Sequence, residues 1–229
     1  MRKVLILVAS VALLGGACKS GGGDTASTTT IAEAATTTTA ASGEAMQAKA
    51  LAAADLPPGY NRVSLDVDKN DTTPMGCAAI DNVDEQFQKS IVHSVEASFQ
   101  NGDDTTTTQF VDEQVTSLGS ADVAKNYFDA ESAGISACTT FSHSDTDGTR
   151  TSGEIATYAF PKIADGSVAA ALSGTVTNPD GSSATLGGPI VMVRKGAFIV
   201  QLTFLHLGNA PGLTGNDVIN VAQKAADKV

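Results

Sequence analysis

The stretch Ser90-Ile91-Val92-His93-Ser94-Val95-Glu96-Ala97-Ser98-Phe99, with Asn101-Gly102-Asp103-Asp104 and the run Thr105 to Ser117 after it, decides the fold. The period is two: Ile91, His93, Val95, Ala97 and Phe99 share one face of a strand, and Ser90, Ser94, Glu96 and Ser98 lie on the other. Asn-Gly between two β-rich runs is a turn signal, so the segment reads as a hairpin.

The same pattern recurs downstream. Pro189 to Arg194, Lys195-Gly196 and Ala197 to Leu207 form a second hairpin, with Arg194 and Lys195 in water beside the turn. Thr151 to Phe160 reads as a strand ended by Pro161, and Ser167 to Thr177 as another before the turn Asn178-Pro179-Asp180-Gly181. Upstream, Val63, Leu65 and Val67 alternate within a first strand over Asn61 to Val67. Three segments read as helices. Ala-rich Met46 to Asp55 stops at Leu56-Pro57-Pro58-Gly59-Tyr60. Ser120 offers an N-cap to a helix carrying Val123, Tyr127, Phe128, Ala130 and Ile135 and ending near Cys138. Thr214 to Lys228 turns Val218, Val221, Ala222 and Ala225 inward. Loops are expected around Pro74, Gly76 and Cys77 and over Ser142 to Gly148. The order predicts a single α+β domain over 46–229, an antiparallel sheet with helices on one face.

Before the domain the composition changes twice. Arg2 and Lys3 precede the apolar run Val4 to Leu14, shorter than a membrane span, and small residues then lead into Cys18. This resembles a bacterial lipoprotein signal: residues 1–17 are a signal peptide, and Cys18 carries a diacylglycerol and palmitate anchor. Gly15 stands where the usual pattern has a large aliphatic residue, with Leu14 one step further out. An ordinary secretory signal with an incidental cysteine is the rival. Residues 18–45 hold the runs Thr28-Thr29-Thr30 and Thr36-Thr37-Thr38-Thr39 and few large apolar side chains, so they read as a disordered tether.

Charge and composition narrow the function. The chain has 14 basic and 25 acidic residues; losing Arg2 and Lys3 with the leader takes the net charge from −11 to −13. That excludes nucleic acid as a partner and leaves membrane attachment to the acyl chains. Trp is absent, which disfavours a stacking platform for sugars or bases. With Cys18 lipidated, Cys77 and Cys138 remain as one pair in an oxidising compartment. Their bridge would close a loop of roughly sixty residues, and the rival is a free catalytic thiol.

His93 and His206 are the candidate ligand-binding residues, each on the apolar face of its strand, His206 among Val200, Leu202 and Phe204. Either is a satisfied core histidine or a polar group orienting a ligand in an apolar cleft. No third ligand is spaced to join them around a metal. His143 reads as a solvated loop residue. Asp66-x-Asp68-x-Asn70 starts like a calcium loop, but Asp71 stands where the turn needs glycine and Cys77 where it needs an acid. Asp145-Thr146-Asp147-Gly148 reads as a turn. No hydrolase elbow, phosphate loop, dinucleotide fingerprint or zinc-protease helix occurs, so the reading is non-enzymatic, with no cofactor and no metal.

The arrangement resembles the extracellular sensor domain of PknH-type actinobacterial kinases, from about Leu51 to Val229. The residues that carry it are Leu56-Pro57-Pro58-Gly59-Tyr60, the helix-plus-cysteine segment Ala121 to Phe141, and the hairpin Val193-Arg194-Lys195-Gly196. The resemblance implies a strongly twisted antiparallel sheet flanked by helices, the PsbP-like sensor-domain architecture, with a cleft for an unidentified ligand. This chain departs from it in having one cysteine pair where the kinase domains usually have more, and Ser136-Ala137 where an aromatic often precedes the second cysteine. There is also no kinase domain in the chain. Three readings follow: a lipid-anchored sensor-like domain on the outer face of the cell membrane, holding an envelope lipid or glycan; an interaction subunit docking on a membrane or cell-wall protein; and a lipid carrier.

The anchor is directly testable. Cys18→Ala is expected to move the protein from the detergent phase to the aqueous phase in a Triton X-114 partition; a variant that stays with the detergent would sink the lipid-anchor reading.

Overall fold

The computed structural model describes residues 45–63, 75–101, 109–145, 147–213 and 215–229. Cys18, the leader, nearly all of the tether, the Asp66–Asn70 segment and the tip of the first hairpin lie outside the described residues. Eight strands form one antiparallel sheet: β1 (Tyr60–Val63), β2 (Ile91–Asn101), β3 (Gln109–Leu118), β4 (Thr140–Ser144), β5 (Arg150–Thr157), β6 (Gly166–Thr177), β7 (Ser183–Lys195) and β8 (Phe198–Leu207). Their order is β1-β2-β3-β8-β7-β6-β5-β4. The helices are α1 (Ala78–Phe87), α2 (Ala121–Ala137) and α3 (Gly215–Lys228). Both hairpins form as the sequence predicts. The α+β expectation holds, and β3 and β8 pair to join the two hairpins at the centre.

Helices cover both faces, not one. On the first face α3 buries Val218, Val221, Ala222, Ala225 and Ala226 with Met46, Ala50, Leu51 and Leu56 from the N-terminal segment. On the second, α1 and α2 pack Ile80, Ala124, Tyr127 and Ile135 over Met192, Ile199 and Leu205. A β-bulge redistributes β2 between them. Register slips between the Ile91–Leu118 and His93–Ser117 pairs, so Ile91 joins the α1/α2 side while Val95, Ala97 and Phe99 stay with α3.

Four other expectations change. Met46 to Asp55 is not one helix: a helical turn at 45–47 is followed by a 3₁₀ turn at Ala53–Asp55. Between them the Leu51 N–H donates to Glu113 Oε2 at 2.5 Å, so a buried carboxylate takes the bond that a helical carbonyl would accept. Helix α1 lies where no element was expected, although Ile80, Val83 and Phe87 mark one helical face. The Ser142–Gly148 loop begins as strand β4, an edge strand whose lone buried apolar side chain, Phe141, gives no alternation to read. Arg194 and Lys195 are also engaged: Arg194 pairs with Asp165 at 3.3 Å, and Lys195 Nζ donates to the Ala226 carbonyl at 2.9 Å near the end of α3.

Ser120 caps α2 as expected, its hydroxyl accepting from the Val123 N–H at 3.2 Å. The helix ends at Cys138, which is disulfide-bonded to Cys77 with Cα atoms 6.1 Å apart. Cys77 is the N-cap of α1, so the bridge joins the start of one helix to the end of the other. Gly134 lets them touch: a Cβ there would stand 2.7 Å from the Ala79 carbonyl oxygen.

Cys77→Ala/Cys138→Ala is therefore expected to lose about 2–4 kcal/mol of unfolding free energy in urea titrations. An unchanged midpoint would mean that the helix pair holds together without its staple.

Candidate functional site

Strand β3 is buried on both faces, yet it reads Phe110-Val111-Asp112-Glu113-Gln114-Val115-Thr116. Alternation sends Asp112, Gln114 and Thr116 toward α1 and α2, and Glu113 toward α3. Register then assembles two polar rows on the α1/α2 side. Glu96, Gln114 and Gln201 stand side by side on β2, β3 and β8; next to them stand Ser98, Asp112 and Thr203. On β7 and β6 the same rows become apolar: Met192 and Val168 in the first, Ile190 and Ala170 in the second. The sheet thus carries a six-residue polar platform beside an apolar seat for the helices.

The helices extend this platform with polar groups of their own. Gln114 Nε2 donates to Glu96 Oε1 at 3.1 Å, Gln201 Nε2 to the Tyr127 hydroxyl at 3.4 Å, and that hydroxyl to Asp84 Oδ1 at 3.0 Å. Tyr127 is held edge-on by Phe87, with ring centroids 5.4 Å apart. Glu131, one turn beyond Tyr127 on α2, is only 4% exposed. Asp112 is 6% exposed and Gln114 5%. The Ser98 side chain is the donor beside Asp112, while Gln114 Oε1 and Glu131 Oε2 meet no protein donor.

Burial disfavours the ionised carboxylates here. It pushes Asp112 up to about 7, opposed by the Ser98 side chain and reinforced by Glu96. Burial lifts Glu131 to about 8, with Asp84 and Asp81 adding repulsion. Asp84 rises to about 6 by burial, against the Tyr127 hydrogen bond and with a push from Asp81. Tyr127 is raised well above its usual value by burial and by Asp84 and Glu131. On the other face Glu113 is lifted to about 7 by burial, while the Leu51 N–H, Lys228 and Arg62 favour its charged form.

The two predicted histidines are not brought together. His93 pairs with Ser117 and His206 with Gln109, eight residues away on β3, roughly 27 Å along the strand. One ligand contact cannot use both. His206 is half-buried between two glycines: a Cβ on Gly187 or on Gly212 would come within 2.8 Å of its ring. Its Nδ1 is buried with no protein partner, and burial lowers its pKa. His143 is not solvated. Its side chain is 7% exposed, with Nε2 2.7 Å from Asp145 Oδ1. Thr151 faces it from β5, but at 1% exposure that hydroxyl presents no surface to a substrate. Asp145 to Gly148 closes as a turn, the Gly148 N–H reaching the Asp145 carbonyl at 3.0 Å. Among the described residues no group of three His, Cys, Asp or Glu could hold a metal ion, and no helix is long and apolar enough to cross a membrane.

The platform was partly visible in the sequence. Ser94, Glu96 and Ser98 were readable as one polar face, and Asp112-Glu113-Gln114 as an interruption of an apolar strand.

Against known proteins, the chain matches no protein-family description and no curated sequence. Its fold is similar to a solved structure, the extracellular domain of PknH from Mycobacterium tuberculosis: the TM-score is 0.58 at 13% identity, covering 81% of this chain and 95% of that one.

Asp84, Asp112, Glu113 and Glu131 all hold protons more tightly when folded than when unfolded, so the native state binds more protons between the ordinary carboxylate range and about 8. Stability should accordingly fall as pH rises from about 4.5 to about 8. Calorimetric scans across that range test the sign; a midpoint that climbs toward neutral pH would show these carboxyls to be charged and paired.

Proposed function

We propose that this chain is a lipid-anchored, extracytoplasmic ligand-binding lipoprotein whose PsbP-like, sensor-like domain holds a cell-envelope molecule. The observation that carries the reading is the polar platform inside an otherwise apolar layer. Buried polar groups cost stability unless they are satisfied, and a layer that only had to pack would be apolar. Gln114 and Glu131 present acceptors that no protein donor meets, and Asp112 has only the Ser98 side chain, which supports a site that fixes a ligand by a few polar groups.

The remaining features support this placement. A diacylated Cys18 would hold the protein at the outer face of the membrane, and the Thr-rich tether would set its reach. The Cys77–Cys138 bridge suits an oxidising compartment. The likeness to an extracellular domain agrees in fold. Binding without catalysis is the reading we adopt, and any signal would pass to a separate membrane protein.

The docking-subunit reading ranks second. It calls for a contiguous apolar surface patch. Among the described residues the exposed large apolar side chains are Val92 and Tyr158, one on β2 and the other just after β5, far apart in the strand order.

Native mass spectrometry of the protein extracted from its own envelope, paired with solvent extraction, decides between the two. A stoichiometric small molecule or glycan is the expected outcome. A bare mass in repeated preparations would hand the case to the docking subunit.

A further inference from the structure

We propose that residues 209–213, the strap joining β8 to α3, form a pH-gated latch: neutral His206 holds the strap against the sheet, and protonated His206 releases it.

Register places His206 in a polar row at one end of the sheet, on the α3 side. Tyr60, Asn101, Gln109 and His206 stand side by side on β1, β2, β3 and β8, and Gly187 follows on β7. The strap meets this row at two points. The Gln109 side-chain amide donates to the Pro211 carbonyl, and Gly212 lies against the His206 ring. Gln109 is itself fixed, because its Oε1 accepts from the Tyr60 hydroxyl and from Asn101 Nδ2, each at 3.1 Å. The near end of the strap is pinned at Gly208. Its N–H donates to the Thr185 carbonyl at 2.9 Å, and its carbonyl accepts from Thr185 Oγ1 at 3.0 Å.

His206 is the member of this closure that titrates near neutral pH. Its ring fills the space that side chains on Gly187 and Gly212 would need, since a Cβ on either would come within 2.8 Å of it. In that slot Nδ1 is buried and no protein group partners it. The neutral ring tolerates this, because one of its two nitrogens is an acceptor and Nδ1 can be that one. The imidazolium does not. Both nitrogens then carry protons, and a buried Nδ1–H without an acceptor is costly.

Among the described residues no charge lies against the ring to compensate the imidazolium. Strand β3 presents Gln109 to it, β7 presents Gly187, and the strap presents Pro211 and Gly212, all uncharged. Further along the row come Ser173 and then Glu154, three strands from His206 and about 14 Å away. Asp217 from α3 acts on Tyr60. Burial alone shifts His206, and it shifts it down. Lifting the strap would give Nδ1 to water and restore the ordinary histidine value of about 6.5. The closed strap thus binds the proton less tightly than the open one, so opening is favoured as pH falls and closure as pH rises. This sign is opposite to that of the buried carboxyls, and a local readout separates the two.

The Gln109 side-chain amide reports on the latch, since the strap carbonyl of Pro211 is its partner. In NMR spectra of the ¹⁵N-labelled, detergent-extracted full chain, its resonances are expected to move with the His206 ring titration. The open fraction should rise by up to about tenfold between about pH 7.5 and about pH 5.5. His206→Phe keeps a ring in the slot with no proton to gain, and should leave the Gln109 signal flat over that range. Gly212→Ala pushes a Cβ toward the ring and should open the strap at every pH, moving the His206 titration up toward that of an exposed histidine. If His206→Phe does not fold, Gly212→Ala carries the test. A Gln109 signal that stays constant while His206 titrates overturns the latch. A pH response retained in His206→Phe overturns the role of His206. Gly212→Ala spectra that match the unaltered chain at every pH overturn the strap contact as what holds the His206 titration down.

Discussion

Strand β3 must bury three consecutive polar side chains at the centre of the sheet, and much of the structure answers that demand. Asp112, Glu113 and Gln114 sit where β3 is covered on both sides, between β2 and β8. Alternation divides them between the two faces, and the two faces solve the problem differently. Toward α3, Glu113 accepts the Leu51 N–H, and Lys228, close to Asp55 at 3.0 Å, lends positive charge. The N-terminal segment is thereby fixed to the middle of the sheet by one carboxylate and by the burial of Met46, Ala50, Leu51 and Leu56. Toward α1 and α2, Asp112 has the Ser98 side chain and Gln114 donates to Glu96, with no positive charge to match Lys228.

The side facing α1 and α2 also carries the covalent link. The disulfide ties the N-cap of α1 to the end of α2, Gly134 brings the two backbones together, and Tyr127 links both helices to the sheet through Asp84 and Gln201. Helices tied together over buried polar side chains are costly as pure packing, because those side chains lose water that the protein replaces only in part. Raised carboxyl pKa values are the electrostatic face of the same cost: burial makes each of these acids hold its proton to a higher pH than an exposed carboxyl does.

Legibility followed the strength of the local signal. Both hairpins, the Ser120 cap and the inward face of α3 were readable, because alternation, turn residues and helical spacing are local properties. Helix α1 went unseen beside the loop residues Pro74 and Gly76, although Ile80, Val83 and Phe87 were spaced to show it. Strand β4 had almost nothing to show, since an edge strand needs few apolar residues. The N-terminal helix was overruled from a distance: its Leu51 N–H is claimed by Glu113, 62 residues away. His93 and His206 looked alike as single residues on apolar faces, and the register that separates them is set by pairing with β3.

By itself the sequence determined the α+β class, the hairpins and the cysteines left to pair, since these depend on periodicity, turn chemistry and counting. Only the tertiary structure decided that both sheet faces are covered, and that Glu96, Gln114 and Gln201 share one row with Ser98, Asp112 and Thr203 beside it. The reason is physical. A strand's alternation says which side chains share a face, but not what lies over it, and strand order with register alone determines which distant residues become neighbours.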